Sequence, residues 1–351
     1  MNKLVGVYCE IISICNQHCP YCYNKKKLRE HHEISCKSLV KIAQELDEMG
    51  VPNITISGGE PFLRTDLFEI LNVFEEEQIE VSFISNGKCF EGSNIYLLTR
   101  YQPHLQLTFD GYNSDTHDKT RGKGNFMCLV KGIKDSRKKG FNGSIAVRIN
   151  INNENIAWID SIFNMITKEF ENENGNLINS VNVAIVHSNG SYSGKKILSH
   201  NKYKYLASKI DNWNRQQIEK GSFTATYDFL NPDIGCPYNG ENGSIECGIR
   251  IDSKGNVFPC QLFSNPMFSL GNINSSSLRN ILSSDKMAAF VEQISSRKTL
   301  EPCLSCGYQA FCGCGCPAKS FMETNCIVSF QGCSERKKIF YSALEDYLKE
   351  I

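Results

Sequence analysis

The sequence has no excess charge of either sign, because its 351 residues include 38 lysines and arginines and 38 aspartates and glutamates. A chain without a net field is not drawn electrostatically to nucleic acid or to an anionic membrane surface. No apolar run reaches the roughly 18–20 residues of a membrane span, and there are no internal repeats or low-complexity tracts. With 41% hydrophobic and 22% charged residues, the chain is predicted to be globular, with a substantial core and with neither nucleic acid nor a membrane as a partner.

The first apolar stretch, Leu4–Ile14, also lacks the features of a secretory signal. Glu10 interrupts it, and it continues into a group of cysteines instead of a cleavage site with small residues. We therefore interpret this stretch as a buried strand, and we predict that the protein is cytoplasmic.

Hydrophobic periodicity indicates the fold of the first half. Helical spacing of apolar residues, as at Leu39, Ile42 and Leu46 or after a predicted N-cap at Thr65, separates short strand-like runs. The predicted strands are Val5–Ile14, Asn53–Ser57, Val81–Ser85, Leu105–Phe109, Ser144–Ile151 and Val181–His187. Strands alternating with helices predict an α/β protein with a parallel sheet, here a partial (β/α)6 barrel of the TIM type. In such barrels the chemistry lies on loops at the C-terminal ends of the strands.

The chain is predicted to have three parts. Residues 1–187 form the barrel, residues 188–235 form a connecting segment with a loop at 188–196 and one helix, and residues 236–351 form a cysteine-rich domain that ends in a helix at 334–350. The 17 cysteines are an odd number, so at least one is unpaired within the chain. Dense cysteine in a reducing cytosol indicates metal binding more than disulfides.

Three cysteines follow the first predicted strand in the spacing Cys15-x3-Cys19-x2-Cys22. Cubane iron–sulfur clusters are usually held by four thiolates, so three closely spaced thiolates would leave one iron open to a small-molecule ligand. A structural zinc ion is the alternative, but it requires four protein ligands. His18 could supply the fourth, although it lies inside the spacing, where it would strain a tetrahedron. The loop therefore favours an open cluster over zinc.

With the aromatic Tyr21 before its last cysteine, this loop resembles the signature of the radical S-adenosylmethionine (SAM) superfamily. The resemblance implies that Cys15, Cys19 and Cys22 hold a [4Fe–4S] cluster at which SAM binds and is cleaved, so these three residues are the predicted catalytic and metal-binding set.

A second motif, Ser57-Gly58-Gly59-Glu60, follows the second predicted strand. It is similar to the superfamily's motif that binds the SAM amino group. Glycines bring bare backbone close to a ligand, and the carboxylate of Glu60 can accept hydrogen bonds from an ammonium.

Further polar residues follow the third and fourth strands. The resemblance implies that Asn86 and Thr108 contact SAM and that Arg121 binds its carboxylate, because a fork of donors suits a carboxylate. For Asn86 and Asp110, each followed by a glycine, a tight turn is an equally good explanation.

The C-terminal cysteines form another pattern. It consists of Cys247, the segment Gly255-x4-Cys260, the run Cys303-x2-Cys306-x5-Cys312-x3-Cys316 and a final Cys333. This pattern resembles the SPASM domain, an extension with auxiliary iron–sulfur clusters found on radical SAM enzymes that modify peptides and proteins.

The SPASM resemblance implies two auxiliary [4Fe–4S] clusters. One would be held by Cys303, Cys306, Cys312 and Cys333, with Cys326 as the alternative to Cys333. The other would be held by Cys247, Cys260 and Cys316, with Cys236 as the fourth ligand or with an open iron. The remaining cysteines, which have no cluster spacing, are predicted to be small buried hydrophobes or spare thiols: Cys9, Cys36, Cys89, Cys128 and Cys314.

These resemblances imply an enzyme that cleaves SAM to a 5′-deoxyadenosyl radical and abstracts a hydrogen atom from a peptide, as in the maturation of ribosomally made peptides. An electron donor of the flavodoxin or ferredoxin type is implied. Because the resemblance begins so close to Met1, no fused leader-peptide-binding domain is expected ahead of the barrel, and a separate leader-binding protein is left open as a partner.

The main alternative is an anaerobic sulfatase-maturating enzyme, which forms formylglycine. In that family an Asp that acts as a base follows the G-x4-C cysteine, whereas Gln261 stands here, and a neutral amide cannot take the proton. An iron–sulfur electron carrier would not explain the motif at Ser57–Glu60, and a zinc module would not explain the three-cysteine loop.

Overall fold

The structure, a computed structural model, describes residues 3–24, 30–172, 175–186, 198, 202–227, 238, 246–328, 333–334, 337–338 and 341. The strands are β1 (Lys3–Ile12), β2 (Asn53–Gly58), β3 (Glu80–Ser85), β4 (His104–Thr108), β5 (Ile145–Ile151), β6 (Glu171–Asn172), β7 (Gly175–Asn176), β8 (Ser180–Ile185), β9 (Ala225–Tyr227), β10 (Glu246–Ile251), β11 (Asn256–Phe258) and β12 (Gly271–Asn272). The helices are α1 (Cys36–Glu48), α2 (Leu67–Glu76), α3 (Asn94–Tyr101), α4 (Ser114–Arg121), α5 (Asn125–Lys138), α6 (Ile159–Phe170), α7 (Tyr203–Glu219), α8 (Leu278–Leu282), α9 (Asp285–Ser295), α10 (Gln309–Cys312) and α11 (Pro317–Thr324).

Within these residues, one sheet has the strand order β12-β11-β10-β1-β2-β3-β4-β5-β8-β9, and β6 pairs with β7 apart from it. From β1 to β9 the neighbours are parallel and follow chain order. The prediction of an α/β fold with a parallel sheet is therefore confirmed, and all six predicted strands are present. The first ends at Ile12, two residues earlier than predicted, because Ser13 turns away and hydrogen-bonds to the Glu30 carbonyl and the His32 N–H.

The core lies between the sheet and its helices. Ile145, Val147, Ile149 and Ile151 alternate along β5 and are fully buried. Burial of one such side chain stabilises the fold by about 1.5–3 kcal/mol, and Ile149→Ala would cost about 2–5 kcal/mol because a cavity is added to the lost transfer free energy.

The prediction of Thr65 as an N-cap is wrong. The N-cap of α2 is Asp66, which makes no side-chain capping bond because both its carboxylate oxygens accept hydrogen bonds from Arg64.

Sequence reasoning also missed α3 and α4. Helix α4 buries only Thr116 and His117 and so has no apolar stripe, but a capping box between Asn113 and Thr116 fixes its start. The predicted loop at 188–196 and nearly all of the predicted helix at 334–350 lie outside the described residues.

The cysteine-rich part continues the same sheet. Strand β10 pairs parallel with β1 and antiparallel with β11, so β10 and β11 form a hairpin that contains Cys247. The domain boundaries at 187 and 235 stay a prediction, and the sheet crosses both, since β9 and β10 belong to it. In the described parts of the chain, none of the helices has the length and apolarity that crossing a membrane requires.

Candidate active site

The loops that carry the predicted site residues meet at one edge of the sheet. The cysteine loop follows β1, the Gly-Gly-Glu segment ends β2, Asn86 follows β3 and Thr108 ends β4. Carboxyl ends of parallel strands share one edge, so the chain order of these motifs becomes a spatial cluster.

The two glycines allow the cysteine loop to pack directly on the end of β2. A Cβ atom on Gly58 would stand 2.1 Å from the Ile12 carbonyl oxygen, and one on Gly59 would stand 1.9 Å from that of Ile14. The Gly59 N–H donates to the Ile12 carbonyl at 2.7 Å, and the Glu60 N–H donates to the Ile14 carbonyl at 2.8 Å. Since Ile14 directly precedes the first cysteine, this glycine pair fixes where the cysteine loop starts. Sequence reasoning had given the glycines a ligand-facing role alone.

The carboxylate of Glu60 is buried and joins the loops after β2 and β3. It accepts hydrogen bonds from the Ser85 hydroxyl at 2.9 Å, the Phe62 N–H at 3.2 Å and the Asn86 N–H at 2.7 Å. Burial raises the pKa of Glu60 to about 7, against the lowering effect of these donors. The predicted contact with the SAM amino group stays a prediction, and the structure adds a role in positioning Asn86.

Asn86 lies against the first cysteine. Its amide donates to the Asn16 side chain at 2.7 Å and to the Cys15 sulfur at 3.6 Å, and the Gln17 N–H donates to the same sulfur at 3.4 Å. Burial is the main cause that raises the pKa of Cys15 to about 11, and the charges that Glu60, Cys19 and Cys22 would carry contribute to this rise. The three thiols are close enough for their charges to interact, and three thiolates in this spacing would suit an iron–sulfur cluster with an open position.

A second buried group ties Tyr21 to the loop after β4. The Tyr21 hydroxyl donates to Asp110, Arg121 Nε donates to Asp110 at 2.6 Å, and Arg121 Nη2 donates to the Tyr21 hydroxyl at 2.7 Å. Burial alone would raise the pKa of Asp110, but the Arg121 guanidinium outweighs burial and holds this pKa below its usual value. Burial raises the pKa of Cys19, and the positive charge of Arg121 acts against this rise. The predicted role of Arg121 toward the SAM carboxylate stays a prediction, since Asp110 and Tyr21 engage two of its nitrogens.

His117 extends this group toward Asn86. It is fully buried, and its Nδ1 accepts a hydrogen bond from the Asp110 N–H at 3.2 Å. Its Nε2 lies 2.8 Å from the Asn125 side chain, whose amide donates to the Asn86 carbonyl at 2.7 Å. Burial lowers the pKa of His117, which favours the neutral ring that this pairing requires. Sequence reasoning missed this link, because it joins His117, Asn125 and Asn86 from three separate segments, and no local motif connects them.

Ser57 and Thr108, two residues predicted to contact SAM, are buried next to other residues of the sheet. Ser57 is buried, and its hydroxyl accepts a hydrogen bond from the Tyr8 hydroxyl at 2.7 Å. Thr108 is buried at the end of β4, in register with Arg148 of β5. Their contacts with SAM stay predictions.

The described C-terminal cysteines lie on the hairpin and on the short helices that follow it. Cys247 is buried in β10, Cys260 follows β11, and Cys316 is the N-cap of α11. Burial raises the pKa of Cys303 to about 12, together with the nearby thiols of Cys314, Cys312 and Cys333.

Cys303 is therefore near two other predicted ligands of its cluster, Cys312 and Cys333, while Cys326 is exposed. Cys314, one of the predicted spare thiols, is buried beside this group. Cys236 lies outside the described residues. Among the described residues, no three histidine, cysteine or carboxylate side chains are already arranged to hold a metal ion, so the ligand sets stay predictions.

Three cysteines, one fewer than a cubane cluster usually requires, lie at the C-terminal edge of a parallel α/β sheet, and a cysteine-rich extension follows. This combination is typical of one class of iron–sulfur enzymes. The radical SAM superfamily model matches residues 9–166, and the SPASM model, an iron–sulfur cluster-binding domain, matches residues 244–307. The chain therefore contains a radical SAM domain followed by a SPASM domain. The predictions of a radical SAM enzyme with iron–sulfur clusters and SAM as cofactors are thereby confirmed.

Similar proteins match along most of the chain. Mycofactocin maturase MftC of Mycolicibacterium smegmatis is 24% identical over 323 residues, which cover 89% of this chain and 78% of the relative. Streptococcus suis SuiB bound to precursor peptide SuiA has a TM-score of 0.71 at 16% identity and covers 94% of this chain and 75% of that chain. Native anSMEcpe with bound AdoMet and Cp18Cys peptide has a TM-score of 0.74 at 17% identity and covers 98% of both chains. The two structures establish a shared fold.

Proposed function

We propose that the protein is a peptide maturase that uses SAM to modify a ribosomally made peptide. The observation that carries this proposal is the similarity to a mycofactocin maturase over 89% of the chain, through both the barrel and the SPASM region. Two proteins of the same fold are described with bound peptides, which supports a peptide as the substrate class.

The site residues divide into ligands and positioning groups. Cys15, Cys19 and Cys22 would hold a [4Fe–4S] cluster, which when bound with SAM supplies one-electron cleavage of SAM and abstraction of a substrate hydrogen atom. Glu60 and Arg121 would bind the amino and carboxylate ends of SAM.

Hydrogen bonds at the C-terminal edge of the sheet position the cysteine loop. The bond from Asn86 to the Cys15 sulfur and the bonds among Tyr21, Asp110 and Arg121 hold the two ends of the cysteine loop against different strands. This arrangement restricts the loop before any ligand arrives, which lowers the entropic cost of binding SAM.

The auxiliary clusters and partners complete the proposal. The two sets would be Cys303, Cys306, Cys312 and Cys333, and Cys247, Cys260 and Cys316 with or without Cys236. The protein would act in the cytoplasm with a flavodoxin or ferredoxin as the electron donor, and a separate leader-peptide-binding protein is consistent with this plan.

Sulfatase maturation is the second candidate, because anSMEcpe matches nearly the full length of both chains. Against it stands Gln261, which is exposed next to Cys260 and has an amide that cannot act as a base. Because the sequence has no carboxylate at this position, we favour peptide maturation.

The test is anaerobic incubation of reconstituted protein with SAM, a reductant and the small peptides encoded beside its gene, with mass spectrometry as the readout. A SAM-dependent mass change in such a peptide supports the proposal. Conversion of a sulfatase-derived cysteine or serine peptide to an aldehyde-trappable formylglycine, with the neighbouring peptides unchanged, would overturn it. The variant with Cys15, Cys19 and Cys22 replaced by Ala should release no 5′-deoxyadenosine, whereas Cys36→Ala, the matched control, should act like wild type.

A further inference from the structure

Glu10 is the charged residue that interrupts the apolar run of β1, and it is buried with 1% exposure. Arg250 of β10, fully buried, donates to its carboxylate from Nε at 2.8 Å and from Nη2 at 2.9 Å. Nη1 of the same guanidinium donates to the Phe263 carbonyl at 3.0 Å. The pair therefore links β1 to the hairpin that carries Cys247 and Cys260. Because desolvation offsets the attraction in a buried ion pair, stability alone is a weak reason for such a pair.

Asn24 connects this pair to the cysteine loop. Its side-chain amide donates to Glu10 at 3.1 Å and to the Gly58 carbonyl at 3.3 Å, and Asn24 follows the last cysteine of the loop, Cys22, by two residues. Its side-chain oxygen is buried and has no hydrogen-bond partner among the described residues. A buried amide oxygen without a partner destabilises a fold, so the stability of the chain does not by itself explain an asparagine here.

The residue between Cys22 and Asn24 is held by the same part of the sheet. The Tyr23 hydroxyl lies 2.6 Å from the Tyr8 hydroxyl, and the Arg250 guanidinium lies 5.8 Å from the centre of the Tyr23 ring. Both residues after Cys22 therefore contact groups that pack against β10.

We propose that Glu10, Asn24 and Arg250 form a positioning network that fixes the Cys22 end of the cysteine loop relative to the hairpin of the SPASM region. The inference rests on the cluster assignment under "Proposed function". A functional set of ligands has to be held within about 0.5 Å of its productive geometry. The network links the Cys22 end of the loop to the sheet, whereas Asn86 contacts the Cys15 end. The SPASM region thus supports the SAM-binding site mechanically.

Asn24→Leu tests the network, because it removes the amide donor and the unpartnered oxygen at similar volume. We expect an unchanged or higher melting temperature, faster deuterium uptake in peptides covering residues 13–22, and unchanged uptake in residues 303–326. The dissociation constant of SAM, measured from the change in the electron paramagnetic resonance signal of the reduced protein, should rise roughly 10- to 100-fold, as for loss of other residues that orient metal ligands.

Two further variants separate positioning from folding. Glu10→Gln alone is unsuitable, because it leaves the Arg250 charge buried without a counter-charge. The double variant Glu10→Met with Arg250→Met removes both charges and should fold, while it reproduces the loop exchange of Asn24→Leu. Glu75→Gln is the matched control: Glu75 and Arg100 form an equally bidentate pair, but on the surface, and all readouts should stay at wild-type values.

A SAM dissociation constant within twofold of wild type and unchanged exchange of residues 13–22 in Asn24→Leu would overturn the proposal. Faster exchange throughout the sheet with a lower melting temperature would also overturn it, in favour of a purely structural role. Neither the SAM dissociation constant nor the deuterium exchange requires a peptide substrate. A failed peptide-maturation assay would therefore leave this test intact.

Discussion

The cysteine loop at Cys15–Cys22 and the cysteine run at Cys303–Cys316 offer the same donor atoms but are held in different ways. Buried side chains from several strands hold the loop. In the run, the short helices α10 and α11 flank a turn with left-handed backbone at Cys314 and at the glycine on either side of it. The buried Arg297 donates hydrogen bonds to carbonyls of this turn, including one from Nη1 to the Gly315 carbonyl oxygen at 2.9 Å.

This contrast indicates which site depends on metal for its order. The loop is anchored by a large apolar core and by ion pairs, whereas most side chains of the run that the structure describes are only partly buried or exposed. Where the protein supplies few contacts, the free energy of metal binding becomes folding free energy. We therefore expect iron to organise the C-terminal run and the protein to organise the N-terminal loop.

The largest effect on stability should follow removal of ligands from the C-terminal run. Cys303→Ala with Cys312→Ala should lose about four irons per chain and expose residues 296–328 to protease and to rapid deuterium exchange. The triple alanine variant of the N-terminal loop should lose the same amount of iron, from about 12 to about 8 per chain, with exchange in the sheet unchanged. Equal losses of order in the two variants would contradict the comparison.

A smaller effect is expected for Asp110→Asn, which removes the counter-charge of Arg121 and leaves a guanidinium buried. Breaking such a pair costs about 3–5 kcal/mol of unfolding free energy. Because the pKa of Asp110 is depressed in the folded protein, its stabilisation is present above the unfolded pKa of about 3.9 and is lost as the pH falls through the folded value. Urea titrations should therefore show a lower free energy of unfolding for the variant than for wild type at pH 7, and a smaller difference between the two in acid. If the difference in unfolding free energy did not depend on pH, the ion pair could not be its source.

The smallest effect, confined to a pH window, is expected for Glu60→Gln. The folded pKa of about 7 lies above the usual value of 4.5, so wild type loses stability as the pH rises from about 4.5 to 7, on the order of 3 kcal/mol. The glutamine variant should lack this slope in urea titrations at pH 5 and pH 8. Loss of a charge-assisted bond should also weaken SAM binding by about 1.5–3 kcal/mol, with iron content unchanged. A SAM dissociation constant within twofold of wild type would exclude the direct contact.

Much of the barrel could be predicted from the sequence, because buried parallel strands and amphipathic helices leave strong periodic patterns. Helix α4 was missed since its polar sequence has no apolar stripe, and its function is to present Arg121 to Asp110. The cysteine spacing predicted a radical SAM domain, which the family model confirms, whereas the cluster ligands themselves stay a prediction. What the spacing could not reveal is how the loop is held.

The supporting contacts were hidden because they join residues that are distant in the chain. Glu10 looked like a reason to reject a signal peptide, and its partner Arg250 belongs to another predicted domain. Glu60 was assigned to SAM from its motif, whereas its hydrogen bonds to Ser85 and Asn86 depend on the packing of two strand ends. Local sequence patterns carry no information on such pairings.

The pairing of β1 with β10 has a consequence for the order in which the chain acquires its structure. Glu10 and Arg250 are 240 residues apart, so during synthesis β1 leaves the ribosome long before its second neighbour exists. Until then, one side of β1 is an open sheet edge, the kind of surface that pairs with other chains. Closing contacts of such long sequence separation is slow. Aggregation during expression should therefore be most sensitive to changes in β10, although β10 contributes few residues to the barrel.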